Sequence, residues 1–123
     1  IDNLQLLIRN NPDFEFIVQY DGINDFTSIP EVSVLLDKSS GTGLFENAWY
    51  PKDIVEELNK RNISFGYAGG LGMDTLPAAV CQWEKEGLAL NWIDMETKVR
   101  DENGFSLLKV MEVLDYIQPY IVK

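Results

Sequence analysis

Histidine is missing from this sequence altogether, and cysteine occurs once, at Cys81. Without a second cysteine no disulfide framework forms within the chain, and without histidine no Cys/His metal centre can be assembled. Neither a metal nor a cofactor is therefore expected. Basic residues are scarce as well: 10 stand against 20 acidic ones, for a net charge of -10. Nucleic acid and anionic membrane surfaces call for a basic patch, so neither is expected as a partner. No apolar run reaches the roughly 20 residues that span a bilayer. The compartment expected is a reducing cytoplasm.

What the chain does have is the composition of a soluble globular domain, 46% hydrophobic and 24% charged over 123 residues. That length supports one domain with a modest core. Ile1 is not an initiator methionine, and the sequence opens directly into a helical pattern, so residues 1–123 are expected to be a single segment of something longer.

Strand-like and helix-like stretches alternate. Leu4, Leu7 and Ile8 recur at helical spacing and Asn10-Asn11-Pro12 stops the pattern. Phe14 to Gln19 is strand-like, and Asn24 to Glu31 allows at most a short helical turn. Val32 to Leu36 is a second strand that delivers Asp37 at its end, followed by the polar loop Lys38 to Gly43. Pro51 suits a first helical turn, with Ile54, Val55 and Leu58 as the buried stripe and Asn62 as the stop. Ile63 to Ala68 is a third strand, and a turn with three glycines in four positions, Gly69, Gly70 and Gly72, leads to a helix expected to be capped by Asp74. Leu76, Ala79, Val80 and Trp83 form its apolar row, and Gly87 is its C-cap. Leu88 to Ile93 is the fourth strand, ending at Asp94. Met95 to Gly104 is a charged loop, and a last helix from Ser106 carries Leu107, Val110, Met111, Leu114 and Ile117 on one face.

A helix followed by four strand–helix units predicts an α/β fold with a parallel sheet. Ligands of such sheets sit at the C-terminal ends of the strands. Asp37 and Asp94 both stand there. A partly buried carboxylate near another one can serve as a general acid; the plainer role is to cap the following turn. The glycine turn before Asp74 is a natural anion site if its N–H groups are unpaired, and otherwise only a tight connection. The Ser39 to Gly43 loop lacks the Gly-Lys-Ser/Thr ending of a P-loop. Lys38, Lys98 and Arg100 could neutralise an anion, although such residues are ordinarily solvated surface charges. Glu96, two residues beyond Asp94, points the same way if the strand continues. Cys81 lies among Ala78, Ala79 and Val80 and is expected to pack in the core rather than act as a nucleophile, as are Trp83 and Trp92.

Val34-Leu35-Leu36-Asp37 with Gly41-Thr42-Gly43, then Ala68-Gly69-Gly70-Leu71, then Ile93-Asp94-Met95 resemble, in that order, the last third of the phosphoribosylanthranilate isomerase family. That family is a TIM barrel of tryptophan biosynthesis. Its sixth strand ends in Leu-Leu-Asp before a glycine-rich loop, its seventh in Ala/Ser-Gly-Gly-Leu, and its eighth in Val-Asp-Val-Ser-Ser-Gly-Val-Glu. The resemblance runs from about Phe14 to the C-terminus and implies a half (β/α)8 barrel, strands five to eight. By the family pattern Asp37 is the general acid that protonates the ribose ring oxygen, and Asp94 lines the site. Gly41, Gly43, Gly69, Gly70, Leu71, Thr97 and Lys98 then hold a phosphorylated small-molecule substrate. A second half barrel is the implied partner, either an N-terminal portion of the same protein or another copy.

The sequence departs from that pattern in places. Glu96 stands where the family has Ser, Lys98 where it has the phosphate-loop Gly, and Leu44 where it has a Lys. The family's general base is a cysteine on the first strand, which has no counterpart here, so the chain by itself is not expected to complete the reaction. A non-catalytic module that binds a phosphate ligand on the same scaffold is the second reading, and an open flavodoxin-like receiver the third. The latter lacks the acidic pair, since its first strand ends in Gln19-Tyr20-Asp21.

Overall fold

The computed structural model describes residues 2–20, 22–29, 31–37, 52–87 and 91–120. Helix α1 (Asp2–Asn10) precedes strand β1 (Phe16–Gln19). Strand β2 (Val32–Asp37) leads on to α2 (Lys52–Lys60), β3 (Phe65–Ala68) to α3 (Leu76–Lys85), and β4 (Trp92–Ile93) to α4 (Leu107–Ile117). The chain is thus α/β, and its main sheet has the order β1-β2-β3-β4 with every neighbouring pair parallel.

That order contains no reversal among the described strands. A flavodoxin-like sheet would place the first strand between the second and the third; here β1 pairs with β2 alone among the described strands, which removes the receiver reading. Right-handed crossovers that always step in one direction lay their helices on one face of the sheet. The packing agrees. Val34 and Leu36 of β2 and Phe65 and Tyr67 of β3 share one buried cluster with Val55 and Leu58 of α2, Leu76, Ala79, Val80 and Trp83 of α3, and Val113 of α4. Ile8 of α1 joins Ile29 and Val32 in a smaller cluster against Phe16 and Val18. Tyr67 stacks on Trp83 with ring centroids 5.1 Å apart.

The register puts Ile17, Leu35, Gly66 and Trp92 on the opposite face. Ile17 is 60% exposed, and neither it nor Leu35 belongs to the buried clusters. Gly66 is required there, because a Cβ would come within 2.4 Å of the Trp92 indole, which lies across the glycine.

Several local expectations need correction. Helix α3 begins at Leu76 with Thr75 in the N-cap position, not Asp74, whose carboxylate is engaged by Lys98. Thr75 gives α3 no side-chain cap; its hydroxyl donates instead to the Gly70 carbonyl at 2.7 Å and accepts from the Gly72 N–H at 3.1 Å. Cys81 is exposed, since the buried stripe of α3 passes through residues 76, 79, 80 and 83 and leaves position 81 outside. Helix α4 is capped by the Ser106 hydroxyl, but it buries Val113, with Val110 and Ile117 packed beside it, rather than Leu107, Met111 and Leu114. In α1, Ile8 is buried and Leu7 is half exposed. Met95 to Gly104 is not all loop: it contains a 3-10 turn, Thr97–Val99, and half of a two-stranded hairpin, β5 (Arg100–Asp101) with β6 (Gly104–Phe105). The expected short turn is Phe26–Ser28, started by the Asp25 carboxylate, which accepts from the Thr27 N–H at 3.0 Å. The C-cap of α3 is Glu86 rather than the expected Gly87, which follows it in the left-handed region at φ 65°. Leu88 to Leu90 of the fourth strand, and Pro51, lie outside the described residues.

Candidate functional site

Sheet register, more than any single motif, assembles the site. Asp37, the last residue of β2, is opposite Ala68, the last of β3. Ile93 is opposite Tyr67, and the Asp94 N–H donates to the Tyr67 carbonyl at 2.8 Å, so the ladder carries on to Asp94. Asp37, Ala68 and Asp94 therefore form one row across three strands, on the same side as Gly66 and Trp92. Two strand spacings separate the aspartates, roughly 10 Å between backbones. Asp37 is half-buried and Asp94 exposed.

Beyond Ala68 the chain turns through Gly69 at φ 105° and Gly70 at φ 66°, conformations that side chains strongly disfavour. Leu71 follows, 3% exposed and anchored in the main core. The carbonyl of Gly72 accepts from the N–H groups of Thr75, at 3.0 Å, and Leu76, at 2.7 Å. Pro77 has no N–H to offer. The donors expected of the α3 N-terminus are therefore largely spent inside the turn, a correction to the simple helix-terminus anion site. Among the described residues, no hydrogen bond occupies the N–H groups of Gly70 and Leu71.

The third wall comes from the chain after β4. Lys98 packs its stem against Gly72, where a Cβ would lie 2.5 Å from the Lys98 Cβ. Its Nζ reaches Asp74 Oδ2 at 2.7 Å, and that hydrogen bond holds the Asp74 carboxyl below its ordinary range. Glu96 pairs with Arg100 at 3.3 Å, so its charge has a partner other than Lys98.

Between these walls lies a cavity of about 60 Å³, lined by Asp37, Ala68 to Leu71 and Asp94 to Lys98. One water needs roughly 10–15 Å³ by this measure, so the space suits a group the size of a tetrahedral oxyanion. Asp37, Asp94, Gly69, Gly70, Leu71, Thr97 and Lys98, singled out on sequence, all line it. Gly41 and Gly43, with Leu44 and the whole polar loop, lie outside the described residues. Sequence reasoning missed the Asp74–Lys98 pair: its partners are 24 residues apart, and no periodicity links a turn residue to a loop residue. Among the described residues no cluster of acidic, histidine or cysteine side chains could hold a metal ion.

No family model, curated protein or solved structure matches the chain. What the site does has to be read from its own geometry. It offers a half-buried carboxyl, an exposed carboxyl in the same row, a glycine turn with backbone donors, and one lysine. Among the described residues, no helix is long and apolar enough to cross a membrane.

Proposed function

We propose that the chain forms strands five to eight of a barrel related to phosphoribosylanthranilate isomerase, and that the cavity takes a phosphorylated ribosyl amine. One observation carries the reading. The ends of β2, β3 and β4, each bearing one of the family-like motifs, line a single cavity at the C-terminal edge of the sheet. Sequential strand order, helices on one face and an opposite face that leaves Ile17 exposed and Leu35 and Trp92 partly exposed fit half of a closed barrel, whose interior the other half would fill. The partner is then a second half barrel, and the compartment we assign is the cytoplasm.

In this reading the backbone N–H groups of Gly70 and Leu71 bind the phosphate, with Thr97 and Lys98 closing over it. Asp37, as the general acid, gives a proton to the ribose ring oxygen while the C1–O bond breaks and the amine nitrogen pushes its electron pair onto C1. The product of that step is an open-chain Schiff base. A base then removes the C2 proton to give the enolamine, which returns a proton at C1 and leaves the 1-amino-2-ketose. In the family that base is a cysteine on the first strand, which has no counterpart here, and Cys81, exposed on α3, does not stand in for it. Asp94 lines the same row as Asp37 and orients the sugar hydroxyls.

A second reading is supported by charge. Among the described residues, Asp37, Asp94 and Glu96 line the cavity against Lys98 alone, an excess of negative charge that opposes a phosphate. It favours a module that binds a phosphate ligand weakly and catalyses nothing. Activity decides between the two. In the full-length protein, Asp37→Asn keeps the side-chain shape and removes the acid, so the isomerase turnover rate is expected to fall by roughly 10²–10⁴-fold, with substrate affinity changing much less. An inactive parent that still binds ribose 5-phosphate establishes the binding module. Full activity in Asp37→Asn removes Asp37 from the chemistry.

A further inference from the structure

We propose that Lys98 is a switched ligand: Asp74 holds its ammonium at the rim of the cavity in the free protein, and an entering anion takes it over. The proposal rests on the reading of the cavity as a phosphate site and names the residue that sets its affinity.

Among the described residues, Lys98 is the single basic one that lines the cavity. Its ammonium is nevertheless committed to Asp74, which does not line it. The pair joins the two loops that make the cavity walls, the glycine turn after β3 and the 3-10 turn after β4. Its two ends are held differently. The Lys98 stem is packed on the backbone at Gly72 and its side chain is 29% exposed, whereas the Asp74 side chain is 67% exposed. An ion pair with one partner mostly in water is weak, while a hydrogen bond from an ammonium to a phosphate oxygen in a walled cavity is stronger and shorter. With the stem fixed at Cβ and Cδ, only the last bonds of the side chain need to turn. Glu96, the carboxylate nearest in the same loop, keeps Arg100 as its own partner throughout. Swinging Lys98 inward would set its positive charge beside Asp37 and Asp94, which otherwise repel an anion, and would leave Asp74 to the solvent at little cost.

The test is calorimetric titration of the full-length protein with inorganic phosphate. Asp74→Asn frees Lys98 and is expected to bind phosphate about two- to five-fold more tightly, the worth of an exposed ion pair converted to affinity. Lys98→Met is expected to bind it at least about ten-fold more weakly. The double variant should match Lys98→Met alone. If the double variant keeps the tightening, the effect is loss of a negative charge and not release of Lys98, and the switch is wrong. Wild-type binding with no tightening in Asp74→Asn also overturns the switch, but leaves the phosphate site intact. If neither wild type nor Asp74→Asn binds phosphate, both ideas fall.

Discussion

Helices α2 and α3, which cross the middle of the sheet, expose no large hydrophobic side chain among their described residues. Helices α1 and α4, which lie before the first strand and after the last, expose Leu6, Leu7, Leu107, Leu108, Met111 and Leu114, several at more than half of their surface. Strand β1 adds Ile17, and the segments beside these elements add Phe14 and Phe105. Scattered apolar residues on a surface are ordinary, but several on one short helix face, as on α4, are less so. Here the group is sorted by position: units with a neighbour on both sides are finished, and units with a neighbour on one side are not. A parallel sheet is normally covered on both faces, and an open strand edge invites pairing. The difference between middle and ends is the one expected under the proposed half barrel, which would bring a second half against α1 and α4.

Truncation in the middle should have the largest effect. Leu58, fully buried under β2 and β3, should cost about 2–5 kcal/mol as Leu58→Ala. Leu108, 67% exposed on α4, should cost less than about 0.5 kcal/mol as Leu108→Ala in the isolated chain. Urea unfolding of the two variants makes the comparison directly. Replacing Leu107, Leu108, Met111 and Leu114 together by Ser should spare the fold of the chain and, if the proposed pairing with a second half barrel holds, abolish it. Equal costs at Leu58 and Leu108 would mean that the ends are as finished as the middle.

A smaller effect is expected at Gly66, on the face away from the helices. Gly66→Ala drives a methyl into the Trp92 indole, which cannot yield without leaving the sheet surface. Overpacking of this kind costs about 1–3 kcal/mol, and tryptophan fluorescence should move to the red as the ring gains solvent. An unshifted emission with unchanged stability would show that Trp92 is free to rotate away, and that this face is softer than the helix-covered one.

Much of the middle was legible in the sequence because its signals are local. Val32 to Leu36 is a short apolar run that ends in Asp37, and the α3 stripe at residues 76, 79, 80 and 83 is a plain helical period. The failures are tertiary. Helix α4 has apolar residues along two adjoining stripes, 107-111-114 and 110-113-117, and nothing within the helix says which one meets the sheet. Asp74 is a good N-cap type at the right place, but a lysine 24 residues later draws its carboxylate away. Cys81 was placed by its apolar neighbours, two of which, Ala79 and Val80, do face the core while the chain rotates Cys81 out. The convergence of Asp37, Gly69 to Leu71 and Asp94 was legible, since strand ends in a parallel sheet share one edge. The Lys98 contact with Gly72 was not.

The smallest effect concerns Asp74, and it separates the rim of the cavity from the buried middle by pH. Bonding to Lys98 lowers the Asp74 carboxyl from its ordinary value of 3.8. A carboxyl whose folded pKa is depressed adds stability that is fully present above the unfolded value, and that is lost as pH falls through the folded one. The window is therefore below about pH 4, and neutral or alkaline conditions should leave the contribution unchanged. With most of the Asp74 side chain in water the contribution is small, well under 1 kcal/mol after screening. Global unfolding is too coarse to resolve it, so the sharper measurement is the carboxyl carbon shift of Asp74 by NMR. In wild type it should titrate below the usual aspartate range, and in Lys98→Met it should return to that range. Raising the salt to about 1 M, where the screening length is roughly 3 Å, should bring the wild-type value part of the way back. Saturating phosphate should do the same if Lys98 leaves Asp74 for the anion, because the carboxylate then loses its donor. A wild-type titration already in the ordinary range would mean that Lys98 and Asp74 are not paired in solution, and the rim would be as open as the ends of the sheet.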